Sequence, residues 1–398
     1  MTRALTRPEA PEAGGRYGRL FGDLEPLLVD EQALHELGRA GGWCDSPGDD
    51  GREDAVWPFF GQFIAHDITA DRSPVTGTSD PDHLRNARSP RANLESLYGG
   101  GPIGSPYLYD RDNPDLMLLG DDGKDVSRNA KGIALLGDPR NDVHLFVSQM
   151  HVAFLHLHNA FAAEHGFDEA RRLATWHYQW IVLEDFLPRL LPEGLARELL
   201  DEGPRHFSPD GDAWIPVEFA DAAFRYGHGQ IRDAYVVCAG AEPVPLFPDL
   251  MGFAPVRAEH RVDWDGHLPG SLIALPHEVS GEEPGADYGS LAVRDLQRGV
   301  LTALPSGEAV ARAMGEEPLS PEECGLAAGG WTGETPLWLY VLREAAARGG
   351  GDRLGPVGGR IVGEVLVGIV DADPESYRAR EPGWTPGRSF GLQDVLLG

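Results

Sequence analysis

The sequence predicts a mainly α protein, a single large helical domain with few short strands. Two observations carry this. Several stretches, around 141–164, 168–192, 334–348 and 357–371, repeat apolar residues at helical three- and four-residue spacing. Between positions 50 and 398 there is no internal repeat and no low-complexity linker, so the simplest division is an irregular extension over 1–50 and one domain over 51–398.

The elements follow in order. Residues 1–50 are rich in Gly, Pro and Asp, with one helical patch near Glu31–Leu37. A largely apolar helix is expected over about 54–70, with Gln62 and His66 on one face and Asp67 about 100° away. Each of these polar groups needs a partner if the helix is buried. A polar loop covers 71–106. Within it, Ser89, Asn93 and Glu95 place oxygens at alternating positions, either as a solvated loop or as donors to a hard cation.

A helix over about 141–164 carries His144, His151, His156 and His158. With no Glu or Cys to complete a metal set, they read as core or capping histidines. The helix over 168–192 is aromatic, and Pro188 should bend or end it. A further helix is expected from Val217 to about Tyr235, with Arg225 and His228 sharing a face. An irregular Pro-rich stretch with short strands near 254–262 leads to a helix over about 288–303. Ser306 and Ser320 are candidate caps, and Glu323 completes a capping box with Ser320. Helices close the domain at 334–348 and 357–371, and the tail over 372–398 is irregular.

Composition narrows the function. The 398 residues carry a net charge of −29, which disfavours binding to nucleic acid or an anionic membrane. Cys44, Cys238 and Cys324 are widely separated and form no CxxC, so neither a disulfide framework nor a cysteine metal site is expected. There is no secretory signal pattern over Met1–Tyr17 and no run of 18 apolar residues, so a soluble cytoplasmic protein is the expectation.

Four motifs occur in a telling order: Gly61-Gln62-Phe63-Ile64-Ala65-His66-Asp67, Gly137-Asp138-Pro139-Arg140, Phe224-Arg225-Tyr226-Gly227-His228 and Asp295-Leu296-Gln297-Arg298-Gly299. Together they resemble the animal-type haem peroxidases of the peroxidase–cyclooxygenase superfamily. Arg88-Ser89-Pro90, Leu97-Tyr98-Gly99-Gly100-Gly101-Pro102, Trp176-His177-Tyr178-Gln179-Trp180 and Gly358-Gly359-Arg360-Ile361-Val362 look like its bacterial branch.

The resemblance implies a helical domain around a central haem and a role for each position. His66 looks like the distal base and Arg140 like the distal arginine. Gln62 would bond a distal water or small anion. His228 looks like the proximal ligand of the haem iron, with Arg225 and Arg298 near the haem edge or its propionates. Asp295 stands where the family has Asn beside the proximal histidine, and would give His228 more imidazolate character unless it pairs with an arginine instead. Asp67 looks like a calcium ligand, joined by Ser89, the Arg91 carbonyl, Asn93 and Glu95. Asn93 and Glu95 replace two aspartates usual in that branch, which should weaken or distort Ca²⁺ binding.

Ala65 and Val143 stand where many animal members carry haem-esterifying carboxylates, so the expected cofactor is non-covalent haem b. Asp142 is the only nearby substitute linker. The implied activity is peroxidase chemistry: H₂O₂ oxidises haem to a ferryl state that then oxidises a small organic, aromatic donor. The alternatives are a peroxygenase, hydroxylase or dioxygenase of secondary metabolism, and a non-catalytic haem-binding protein. Arg225 occupies the position of the radical-forming Tyr of the cyclooxygenase branch, which favours peroxidase over dioxygenase.

Overall fold

A computed structural model of the chain describes residues 15–45, 53–70, 84–120, 123–209, 213–236, 242–245, 268, 270–275, 277–280, 287–387 and 389–397. The short strand β1 (Gly15–Gly18) pairs antiparallel with β2 (Arg85–Asn86) and parallel with β3 (Ile215–Pro216). Helix α1 (Glu31–Gly38) is capped by Asp30, whose carboxylate accepts from the Gln32 N–H, and it buries Leu34 and Leu37.

Helix α2 (Val56–Ile68) forms from residues that are apolar nearly all round, so it lies in the core. It buries Trp57, Phe59, Phe60, Phe63 and Ile64. Phe59 and Phe63, four apart and therefore on one face, stack on Phe146 and Phe154 at 4.3 and 5.0 Å. Both partners belong to α3 (Leu145–His165). Gly166, at φ +75°, turns the chain into α4 (Phe167–Trp180), which packs against α3.

The helix expected over 168–192 is not uniform. A π-helical segment, Ile181–Phe186, follows α4, and one α-helical turn, Leu187–Leu190, contains Pro188. Proline has no N–H for the i−4 carbonyl, and the wider π ladder takes up that defect without breaking the element. Helix α5 (Leu195–Glu202) comes next.

The single helix expected from Val217 to Tyr235 is a correction. The chain forms one turn at Val217–Ala220, then a 3₁₀ helix over Ala223–Gln230, and is extended at Ala234–Tyr235. Gly227 and Gly229 disfavour an α-helix there. The 3₁₀ segment also packs tightly on α2: a Cβ on Gly61 would lie 3.1 Å from the Tyr226 hydroxyl.

Ser290 caps α6 (Leu291–Leu301), and α1 packs on this helix. Ser306 caps α7 (Gly307–Met314), and Ser320 with Glu323 forms the expected capping box over Pro321–Cys324. The buried carboxylate of Glu344 on α8 (Leu337–Arg348) accepts N–H groups of Val357 and Gly358, and so caps α9 (Pro356–Asp371). The tail is less irregular than expected, with short helices at Tyr377–Arg380 and Leu392–Leu397. The strands expected near 254–262 lie outside the described residues. Among the described residues no helix is long and apolar enough to cross a membrane. The elements build one mainly helical domain around α2.

Candidate functional site

Helix α2 presents its polar groups in two directions, as its sequence requires. Gln62, one turn before His66, accepts a hydrogen bond from His144 Nε2 at 2.8 Å. His144 Nδ1 in turn accepts from the Val147 N–H at 3.4 Å, so His144 caps α3. His66 is 8% exposed. Its Nδ1 donates to Asn141 Oδ1 at 2.7 Å, and Asn141 Nδ2 donates to His151 Nδ1 at 3.1 Å. Its Nε2 has no hydrogen-bond partner among the described residues. Burial, reinforced by the positive charge of Arg140, lowers the His66 pKa to about 4. Burial likewise takes His144 and His151 down to about 3. All three imidazoles are neutral at pH 7.

Arg140 lies in the 3₁₀ turn Pro139–Asp142. Asp138 caps that turn by accepting from the Arg140 N–H at 2.9 Å, and also accepts from Arg140 Nε and Nη2 at 3.0 and 2.8 Å. Arg140 Nη2 further donates to the carbonyls of His66 and Thr69, at the C-terminal end of α2. Arg140 is thus held beside His66 by its backbone, with Nη1 unbonded among the described residues. Burial alone would raise the Asp138 carboxyl. Arg140 and Arg88 outweigh it and hold that carboxyl well below the ordinary range.

Arg225 and His228 lie three apart on the 3₁₀ helix, where i and i+3 eclipse and face the same way. His228 Nδ1 donates to Asp295 Oδ2 at 2.6 Å. Arg225 Nη1 donates to Asp295 Oδ1 at 3.1 Å. The two alternatives for Asp295 therefore hold at once: it bonds the histidine and pairs with an arginine. Asp295 is fully buried. Arg298 Nε donates to Asp221 Oδ1 at 2.8 Å, and Arg225 Nη2 lies 3.6 Å from the same oxygen. These contacts tie α6 to the 3₁₀ helix.

Asp67 turns away from His66, as expected, and is fully buried. Its two oxygens accept from the N–H groups of Leu94 and Ser96 at 2.9 and 3.0 Å. Leu94 adopts φ +58°, a left-handed conformation that aims the loop at α2. The Glu95 carboxylate accepts from Ser89 N and Oγ at 3.0 and 2.6 Å and from Arg88 at 3.4 Å. Asn93 Oδ1 accepts from the Glu95 N–H, and its Nδ2 donates to Ser89 Oγ. Ser89, Asn93 and Glu95 thus bond one another, Asp67 is held by backbone amides, and Asn93 points an amide N–H, not an oxygen, at Ser89. This arrangement does not fit a ready-made calcium cage. Arg88, buried between Glu95 and Asp138, already supplies a cation there.

For haem the residues do fit. His66 and His228 each fix Nδ1 in a hydrogen bond and leave Nε2 without a partner among the described residues. Asp142 is engaged instead by Arg128, through two bonds of 2.7 Å. Four residues central to this geometry, Asn141, His151, Asp138 and Arg88, carry no site role in the sequence reading. Only the polar Asn141 and Asp138 flanking Pro139-Arg140 hint at one.

Residues 79–248 match the family model for animal haem peroxidase. That span contains Arg140 and His228, while His66 and Asp295 lie outside it. The human probable oxidoreductase PXDNL is 29% identical over 175 residues, covering 41% of this chain and 11% of that protein. The mouse peroxidasin homolog is 32% identical over 192 residues, covering 44% and 12% respectively. The chain thus spans about a tenth of the length of these two relatives. Among solved structures, peroxidase A from Dictyostelium discoideum superposes with a TM-score of 0.69 at 15% identity, over 93% of this chain and 89% of that one. A fatty acid alpha-dioxygenase from Oryza sativa gives 0.70 at 15% identity, over 96% and 81%. These neighbours show the fold, and residues 79–248 match the animal haem peroxidase family.

Proposed function

We propose that this protein is a haem-dependent peroxidase that uses H₂O₂ to oxidise a small organic donor. The observation that supports it most is the pair of histidines with bonded Nδ1 and with Nε2 lacking a partner among the described residues, one backed by Asn141 and one by Asp295. His228 Nε2 would hold the haem iron, and Arg225 and Arg298 would lie toward the haem edge. Bound haem supplies a redox-active iron able to take oxidising equivalents from peroxide. His66 Nε2 takes a proton from one peroxide oxygen and returns it to the other, which leaves as water. Its lowered pKa keeps it unprotonated for the first of these transfers. Arg140, held against the α2 carbonyls, provides fixed positive charge to favour departure of that oxygen.

The haem would be non-covalent. Ala65 and Val143 cannot form esters, and Asp142 is committed to Arg128. Extraction of loaded protein with acidified acetone should release all the haem; haem retained on the chain would contradict this.

Calcium is a separate part of the proposal. Asp67, Ser89, the Arg91 carbonyl, Asn93 and Glu95 would supply its oxygens, with the Asn93 amide turned away from its present bond to Ser89.

Oxygen insertion is the second reading, supported by the likeness to alpha-dioxygenase structures. Arg225, paired with Asp295 three residues before His228, speaks against a tyrosyl-radical route. The test is haem titration followed by H₂O₂ with an aromatic donor, using ¹⁸O-labelled peroxide or O₂. Haem uptake with donor oxidation and no label in product supports a peroxidase. Labelled product supports oxygen insertion, and absence of haem uptake overturns both.

A further inference from the structure

We propose that Asn141 and His151 form a positioning pair that fixes the tautomer of His66 and bares its Nε2. The inference rests on the peroxidase reading for its use, but its structural content stands on hydrogen-bond directions alone.

A neutral imidazole has one N–H and one lone pair, and only the lone pair can act as a base. His66 therefore serves in proton transfer only when Nδ1 carries the hydrogen. Three groups in series decide that. Asn141 Oδ1 can only accept, so at 2.7 Å from His66 Nδ1 it requires a proton there. Asn141 Nδ2 can only donate, so His151 Nδ1, 3.1 Å away, must be the lone-pair nitrogen of its ring. Asn141 thus couples the two rings: a lone pair on His151 Nδ1 goes with the amide orientation that turns Oδ1 to His66 and puts the hydrogen on His66 Nδ1.

The surroundings keep the series in place. Asn141 is fully buried and His151 is 2% exposed. An amide turned over here would set its NH₂ against His66 and its oxygen against His151, reversing both tautomers. His151 stands on α3, where its ring meets Phe63 of α2 edge-on at 6.5 Å. Asn141 belongs to the same short turn as Arg140, begun by Pro139 and capped by Asp138. One rigid turn therefore carries both the arginine and the amide that orients the base.

The test substitutes His151 in the full chain. His151→Leu removes the acceptor, and His151→Asn replaces it with an amide oxygen near the Nδ1 position. The first readout is the ring ¹⁵N signals of the haem-free full chain labelled at histidine, with His66 assigned by a His66→Gln control. The parent should show His66 protonated at Nδ1, and His151→Leu should show a mixture. The second readout is association of cyanide with the haem-loaded protein, because HCN must give up its proton to bind. His151→Leu should slow it tenfold or more, and His151→Asn should restore it to within about twofold.

A parent His66 protonated at Nε2 overturns the proposal, as do unchanged tautomer and cyanide rate in His151→Leu. Should His151→Leu fail to fold, the parent spectrum and His151→Asn still decide. A chain that shows the expected tautomer but takes up no haem would refute the peroxidase reading and leave the positioning pair standing.

Discussion

At the scale of single residues, the site depends on where hydrogens sit. Asp295 is the sharpest case, since it accepts from His228 and also pairs with Arg225. Its negative charge would favour the more oxidised state of an iron held by His228. Asp295→Asn keeps the shape and removes the charge, so the Fe(III)/Fe(II) potential of the haem-loaded protein should rise. A loss of about 1.4 kcal/mol of preference corresponds to roughly 60 mV for one electron. Spectroelectrochemical titration measures it, and an unchanged potential would refute the role given to Asp295.

Burial also makes the histidines acid-sensitive. His151 titrates near 3 in the folded state and near 6.5 when unfolded, so the unfolded chain binds the extra proton between those values. Its contribution is present above about 6.5 and is lost as pH falls towards 3. Asp67, raised to about 6 by burial, works in the opposite sense between about 6 and 4. The variant must therefore be compared with its parent. Urea unfolding of His151→Asn should show a pH slope shallower than the parent's by up to about 1.4 kcal/mol per pH unit in that window. Equal slopes would show that His151 is not held neutral.

At the scale of elements, α2 does what its sequence announces. Its continuous apolar character made it a core helix, and the Gln62, His66 and Asp67 spacing made its two polar directions legible. The Ser320–Glu323 capping box was equally legible, because a cap is a local event. The stretch after Val217 was not. Its apolar spacing suits an α-helix, but Gly227 and Gly229 and the packing on α2 favour a 3₁₀ helix. The loop over 89–98 was legible only in part, for a related reason. Spacing showed oxygens but not which of them are already bonded, and Arg88 was invisible as their counter-charge. Because Asp67 is held by the Leu94 and Ser96 amides, the loop should stay docked without metal. Incubation with a calcium chelator should shift Tm by less than about 2 °C; loss of more than about 8 °C would show that calcium holds the loop.

At the scale of the whole molecule, four separated stretches converge. Helix α2 carries His66, the turn before α3 carries Arg140 and Asn141, the 3₁₀ helix carries His228, and α6 carries Asp295. Motif order in the sequence announced that convergence, but not the residues behind it. His151 looked like a core histidine because nothing local links it to Asn141, ten residues away across a turn. In the proposed reading the same geometry divides the work: His66, buried and neutral, would move a proton, and His228, backed by a carboxylate, would hold iron.

The central claim is that His66 moves the peroxide proton. Stopped-flow mixing of haem-loaded protein with H₂O₂, followed in the Soret band, tests it on the parent and on His66→Leu at matched haem content. The account predicts a rate constant about 10²- to 10⁴-fold lower in the variant. A variant that reacts with peroxide as fast as the parent would contradict it.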